Sequence, residues 1–201
     1  MQEHLQIRLD DAYDVIAGPS GHLLDALHDG LDGVPVIGPQ NLADDHTIDT
    51  HGLRRLSQDK AQKLARFTVR AGDLLIVRQG ALGRLAVVGH AHESWLFGSS
   101  CLRLRAHGNL ILPVFLAWYL SHPPVHNELL QKANVGTIPA FNTAALKGIE
   151  IPVPPLEIQQ EIASALQEIQ EQAKLHRETA RRLDELCPSL FAELLYKGRH
   201  P

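Results

Sequence analysis

From residue 156 to residue 186 the chain contains neither glycine nor proline, and this run begins directly after Pro154-Pro155. Nothing else in the sequence constrains the fold as strongly. A stretch so free of breakers predicts a single helix, roughly 46 Å long at about 1.5 Å per residue. Its apolar residues fall at Ile158, Ile162, Ala165 and Ile169, and again at Leu183, Leu186 and Leu190, in the alternating four-three spacing of a heptad seam. Gln172, His176 and Thr179 occupy the seam between the two blocks. Part of so long a seam needs another helix to cover it. Ile158 and Leu190 are equidistant from position 174, and Gln172 and His176 straddle the same centre, so antiparallel pairing with a second copy sets like against like. The other reading is a helix packed on its own globular part. Pro188 is expected to kink or end the helix, with residues 189–196 adding a last apolar turn or two.

Ahead of the helix, the 201 residues leave room for one domain of ordinary size. The first 60 residues read as irregular and turn-rich, broken by Gly18-Pro19-Ser20-Gly21, Gly30, Gly33 and Gly38-Pro39. Within them, Val34-Pro35-Val36-Ile37 reads as a strand that delivers the polar pair Gln40-Asn41. Strands are then expected at 67–69, 73–78 and 85–88, separated by Ala71-Gly72 and by Gly80-Ala81-Leu82-Gly83-Arg84. Leu102-Arg103-Leu104-Arg105 alternates like a strand with one face in the core and one in solvent, which places both arginines on the solvent face. A buried helix is expected over 113–121, stopped by Pro123-Pro124, then short helices over 125–133 and, capped by Asn142, over 143–147, and a strand over 149–152. Phe115, Trp118 and Tyr119 read as core rather than as a stacking platform.

No stretch approaches the 18 or so apolar residues that cross a bilayer, and the first residues lack the pattern of a secretory signal, so a cytoplasmic location is expected. Cys101 and Cys187 stand far apart and read as small buried apolar residues. The net charge of −4 hides an uneven distribution. Residues 1–60 hold 4 Lys/Arg against 11 Asp/Glu, residues 61–150 hold 9 against 4, and residues 151–201 hold 6 against 8. A basic middle inside a mildly acidic chain is compatible with binding a phosphate backbone, and equally with an unevenly charged solvated surface.

The segment Ile151-Pro152-Val153-Pro154-Pro155-Leu156-Glu157-Ile158-Gln159, placed just before the long helix, resembles the Ile-Pro-x-Pro-Pro-x-x-x-Gln segment that opens the spacer helix of type I restriction-modification specificity subunits. Three further pieces are similar to that family: Val34-Pro-Val-Ile-Gly-Pro-Gln-Asn-Leu42, Gly72-Asp73-Leu74-Leu75 with Arg78-x-Gly80-x-x-Gly83, and Gly136-Thr137-Ile138-Pro139 leading to Asn142. In order and spacing the resemblance runs from about residue 9 to about residue 195. It implies an α+β fold: a β-rich globular target recognition domain with small helices over 1–153, then a long coiled-coil-like spacer helix over 154–201. A complete subunit of the family carries two such domains and two helices, and this sequence has one of each. Either two copies pair through the helix as a homodimer, or the chain is part of a longer protein such as a fused methylase.

The resemblance implies a subunit without catalysis of its own, which directs a DNA methyltransferase subunit, and through it a restriction subunit, to a target on double-stranded DNA. The sequence lacks an Asn/Asp-Pro-Pro-aromatic tetrad, a glycine-rich phosphate turn after a strand and a Gly-x-Ser-x-Gly elbow, and neither His90/His92 nor His122/His126 has a zinc-like ligand set. No cofactor or metal is expected. For DNA contact, Gln40, Asn41 and Gln79 have the paired donor and acceptor that read adenine, while Arg78 and Arg84 suit guanine or phosphate from a glycine-hinged loop. Lys132, Asn134, Thr137 and Asn142 form a second polar cluster around Gly136, and the resemblance places loops of this region near DNA. For each of these, a solvated loop or a cap is the competing role. The helix seam, Ile158, Ile162, Ala165, Ile169, Gln172, His176, Leu183, Leu186 and Leu190, is the expected dimer or partner surface. A free-standing DNA-binding regulator, and an enzyme such as a methylase fragment or nuclease, are the rival functions.

Overall fold

The computed structural model describes residues 5–133 and 140–197. The chain divides into two compact units, Met1–Gln160 and Glu161–Pro201. In the first, the apolar run after Gly72-Asp73 becomes β5 (Leu74–Val77), buried along its whole length. It is flanked on both sides and covered on both faces. Strand β5 pairs antiparallel with β6 (Leu85–Val87) and with β8 (Cys101–Ala106), and β8 pairs with β2 (Tyr13–Ala17), giving the order β2-β8-β5-β6. Side chains alternate across such a sheet. Leu74, Ile76, Leu102 and Leu104 therefore face one core, filled from α3 (Pro113–Ser121), α4 (Pro123–Gln131) and α5 (Thr143–Lys147). Leu75, Val77 and Cys101 face the other, against Ile37 and Phe97. Burial pushes the Cys101 thiol up to about 12, so it packs as a small apolar group.

A second sheet sets β3 (Val34–Ile37) between β4 (Arg54–Leu56), antiparallel, and β7 (Leu96–Phe97), parallel. Strand β1 (Leu5–Arg8) pairs with β9 (Glu150–Val153), with Leu5 opposite Val153. The short helices α1 (Leu9–Ala12) and α2 (Gln58–Gln62) complete this unit.

The expected strands at β3, β5, β6, β8 and β9 and the helices at α3 and α5 form. Other expectations are corrected. The first 60 residues also hold the strands β1, β2 and β4, and the partners of β1 and β2 lie far along the chain, up to 148 positions away for Leu5 and Val153. Residues 65–67 form a tight helical turn instead of a strand, and Thr68 makes only an isolated bridge to Leu96. Helix α4 starts at Pro123, since the first turn of a helix needs no proline N–H. The arginine face of β8 is largely withdrawn from solvent, with Arg105 only partly exposed. Arg103 is buried, and both arginines turn onto Asp73.

Asp73 is only 2% exposed and sits just before β5 as a hydrogen-bonded hub. Arg105 grips it with both arms of its fork, Nε to Oδ1 at 2.8 Å and Nη2 to Oδ2 at 2.7 Å. The Arg70 backbone N–H donates to the same carboxylate at 2.8 Å. Arg103 approaches at 4.0 Å and donates through Nη1 to the carbonyls of Thr68 (2.7 Å) and Arg66 (3.2 Å). The hydrogen bond to Asp73 raises the Arg105 pKa, whereas burial, with Arg105 next to it, lowers that of Arg103. One buried carboxylate thus ties β5, β8 and the 66–70 turn together.

A second buried polar group closes the unit. Gln159 is wholly buried: its Oε1 accepts from the Leu112 N–H at 2.8 Å, and its Nε2 donates to the carbonyls of Leu110 (3.0 Å) and Pro154 (2.9 Å). The last residue of the Pro-Pro segment therefore clips the 110–112 loop to the first turn of α6 (Leu156–Lys197). The second unit is the remainder of that helix. Pro188 lies inside it without ending it. Its ring removes one helical N–H, but no glycine follows before position 198 and residues 189–196 are good helix formers. Cys187 is exposed on this helix and is not the buried residue expected.

Replacing Asp73 with alanine strands two guanidinium groups, and urea unfolding is expected to show a loss of about 3–5 kcal/mol; a loss below about 1 kcal/mol would mean the carboxylate is not structural. Replacing Gln159 with alanine leaves a buried N–H and two carbonyls unpaired, with an expected loss of about 2–3 kcal/mol by the same measurement.

Candidate nucleic-acid interface

Three segments meet around the loop that joins β5 to β6. That loop turns on Gly80 and Gly83, both in the left-handed region, at φ 90° and 78°. Gly83 is also wedged against α4, since a Cβ there would lie 2.3 Å from Cε1 of His126. Arg78 and Gln79 leave β5 beside the segment that enters α5. The Phe141 N–H donates to the Arg78 carbonyl at 3.1 Å, and Gln79 forms an isolated antiparallel bridge with Ala140. Arg78, Gln79, Arg84 and Asn142 thus share one loop cluster, although more than 60 positions separate Gln79 from Asn142.

The third segment is a small hairpin-like loop after β3. Its tip carries His46 at φ 60°, a strained conformation for a residue with a side chain. Asp44 reaches Arg84 at 3.3 Å, and His46 Nε2 lies 2.8 Å from Ser121 Oγ with its ring edge-on to Trp118. Asp44, His46 and Ser121 line an open cleft of about 390 Å³ together with Ala43, His126 and residues 81–85. Burial lowers the His46 pKa, against the opposing pull of Asp45 and Asp44, and so favours the neutral imidazole. Asp44, His46 and Ser121 carry no sequence motif, and His126 stood out only as a rejected metal ligand beside His122. A bridge between Leu42 and Ile48 frames the tip that carries Asp44 and His46.

The residues named from the sequence are placed as follows. Gln40 is exposed on the tight turn Pro39–Asn41. Asn41 is corrected: it is wholly buried, its Oδ1 accepting from the Gly38 N–H at 3.0 Å and its Nδ2 donating to the carbonyls of Asp49 (3.0 Å) and His51 (3.1 Å). An amide so engaged holds the loop and has no group left for a base edge. Arg84 is exposed and paired with Asp44, while Arg78 is half-buried with its Nε lacking a hydrogen-bond partner. Lys132 follows α4 and pairs with Glu128 at 2.6 Å. Asn142 is exposed and caps α5, its Oδ1 accepting from the Ala145 N–H at 3.0 Å. Asn134 and Thr137 lie outside the described residues. On α6, the apolar seam positions Ile158, Ile162, Ala165, Ile169, Leu183, Leu186 and Leu190 are all exposed, as are Gln172 and His176. No described helix is long and apolar enough to cross a membrane.

The chain is 27% identical over 138 residues to the type I restriction enzyme EcoBI specificity subunit of Escherichia coli, a match covering 69% of this chain and 29% of that subunit. Among solved structures, a chain from the type I R-M system superposes with a TM-score of 0.67 at 24% identity, covering 98% of this chain and 46% of the other. The HsdS subunit of Thermoanaerobacter tengcongensis superposes with a TM-score of 0.63 at 23% identity, covering 96% and 44%. At these identities the structural likeness is one of fold, and the chain spans less than half the length of each relative. Residues 30–185 match the family model of the type I restriction modification DNA specificity domain, and the chain, with its β-rich unit leading through Ile-Pro-x-Pro-Pro into one long helix, belongs to that family.

Proposed function

We propose that this chain reads DNA sequence through the loop cluster around Gly80 and Gly83 and directs a type I methyltransferase subunit, and through it a restriction subunit, to the bound site. The observation that carries this reading is the convergence of Arg78, Gln79, Arg84 and Asn142 on one loop cluster, in a chain of a family named for DNA specificity. A polar loop hinged by two glycines and braced by α4 and the 140–142 segment presents base-reading groups from a rigid scaffold. Gln79 suits adenine, Arg84 suits guanine or phosphate, and Gln40 and Lys132 lie on neighbouring segments as further contacts. Residues 1–153 would be the recognition domain and 154–201 the spacer. In this reading the chain itself performs no chemistry, takes no metal or cofactor, and its relatives' name, specificity subunit, describes the same role.

The seam supports a homodimer. Its positions are palindromic about residue 174: Ile158 mirrors Leu190, Ile162 mirrors Leu186, Ala165 mirrors Leu183 and Gln172 mirrors His176. Antiparallel pairing would bury these exposed side chains, align the polar layers at the centre, and set two recognition units at a fixed separation on an inverted repeat.

Selection from a randomised duplex pool is expected to enrich a defined site for the unaltered chain. Gln79→Ala and Arg84→Gln should each relax selection at one position, costing about 1–3 kcal/mol there; no enrichment with or without a methyltransferase subunit would contradict sequence recognition. For the seam, Ala165→Cys and Leu183→Cys chains, each also carrying Cys187→Ser, should form a disulfide-linked dimer on oxidation when mixed and not when kept apart. Parallel pairing would link each variant to itself.

A further inference from the structure

At the opposite end of β5 from the readout loop lies a second cleft, of about 370 Å³, between the Gly72 turn and the loop that follows β8. Arg70, Arg105 and His107 line it with Gly108, Asn109 and Pro113. Arg70 is exposed, and its guanidinium has no ion-pair partner among the described residues. Arg105 offers its remaining nitrogen, Nη1, because Nε and Nη2 are held by Asp73. His107 stands 3.4 Å from Asp14, which is itself 71% exposed. Beside them the backbone runs through Gly108, where a Cβ would meet nothing within 4 Å, so a ligand can approach the main chain closely.

We propose that this cleft is a phosphate-binding site, and that the phosphate is one of the DNA backbone, clamped by Arg70 and Arg105 on the far side of the head from the reading loop. This rests on the reading that the head binds DNA. Two planar guanidinium groups beside an open stretch of backbone suit a tetrahedral oxyanion. Asp73 fixes the Arg105 fork before any ligand arrives, so little side-chain freedom is lost on binding. Residues 72 and 79 lie about 20–25 Å apart along an extended strand, about the width of a duplex, so one DNA segment can touch both ends of the sheet. A contact of this kind positions the protein and carries no base information. Carboxylates on a protein partner are the competing occupant, and the measurement separates the two.

The experiment uses the full chain and measures affinity for a specific and a random duplex across a salt series. Arg70→Gln is expected to weaken binding to both duplexes about three- to tenfold and to reduce the slope of log K against log salt by about 1. Arg70→Lys should keep the slope. The melting temperature should not move, because the Arg70 side chain holds nothing in the fold. Unchanged affinity and slope for Arg70→Gln, on a duplex that the unaltered chain binds, would overturn this site and leave the reading loop standing. Weaker capture of a methyltransferase subunit by Arg70→Gln, with DNA binding intact, would overturn it in favour of a protein carboxylate. No DNA binding by the unaltered chain would overturn both.

Discussion

The β-rich unit depends on a carboxylate that has been taken out of water. Asp73 precedes the central strand, and an unpaired charge at that depth would cost several kcal/mol. It is tolerated because a two-armed Arg105, a nearby Arg103 and a backbone N–H surround it. The compensation has a geometric consequence. Because Asp73 lies at one end of β5, the pair fixes the register of β5 against β8, and that register sets where Arg78 and Gln79 leave the sheet at the other end. The loop cluster inherits its position from an ion pair several residues away.

The same logic runs through the pieces of sequence that resemble the family. Asn41, Asp73 and Gln159 each lie in one of the quoted motifs, and each is a buried polar side chain whose hydrogen bonds join two segments. Buried polar groups of this kind demand a specific geometry, since a half-satisfied one is worse than an apolar residue. They are therefore the positions that a shared fold dictates. Readout does not demand any particular side chain at a loop position, and the residues proposed to contact bases lie beside these hubs: Gln40 next to Asn41, and Gln79 at the far end of the strand that Asp73 begins.

Elements governed by local chemistry were legible in the sequence. The breaker-free run gave the long helix, Asn142 gave the cap of α5, and Val34 to Ile37 gave a strand. What depended on distant partners was not. Leu5–Arg8 alternates apolar and polar residues but is short and close to the chain start, and it is a strand because β9 lies beside it. Alternation in 102–105 correctly gave a strand, yet its polar face is mostly withdrawn from solvent; period-2 patterning does not distinguish an arginine facing solvent from one facing a buried aspartate. Asn41 was misread for a related reason: an amide that can read adenine can equally close a loop on two carbonyls. The loop cluster itself was partly legible, through Gly80 and Gly83, but Asp44 and His46 come to it from the loop after β3 and His126 from α4.

If a scaffold locked by buried polar hubs presents the 78–84 loop and its neighbours to DNA, amide hydrogen exchange of the full chain should register it, with and without a duplex that the chain selects from a random pool. New protection is expected at residues 78–84 and 141–142, with β5 and β8 already protected in the free chain. Protection confined to β1, β9 and the long helix, with the 78–84 amides exchanging as before, would contradict it.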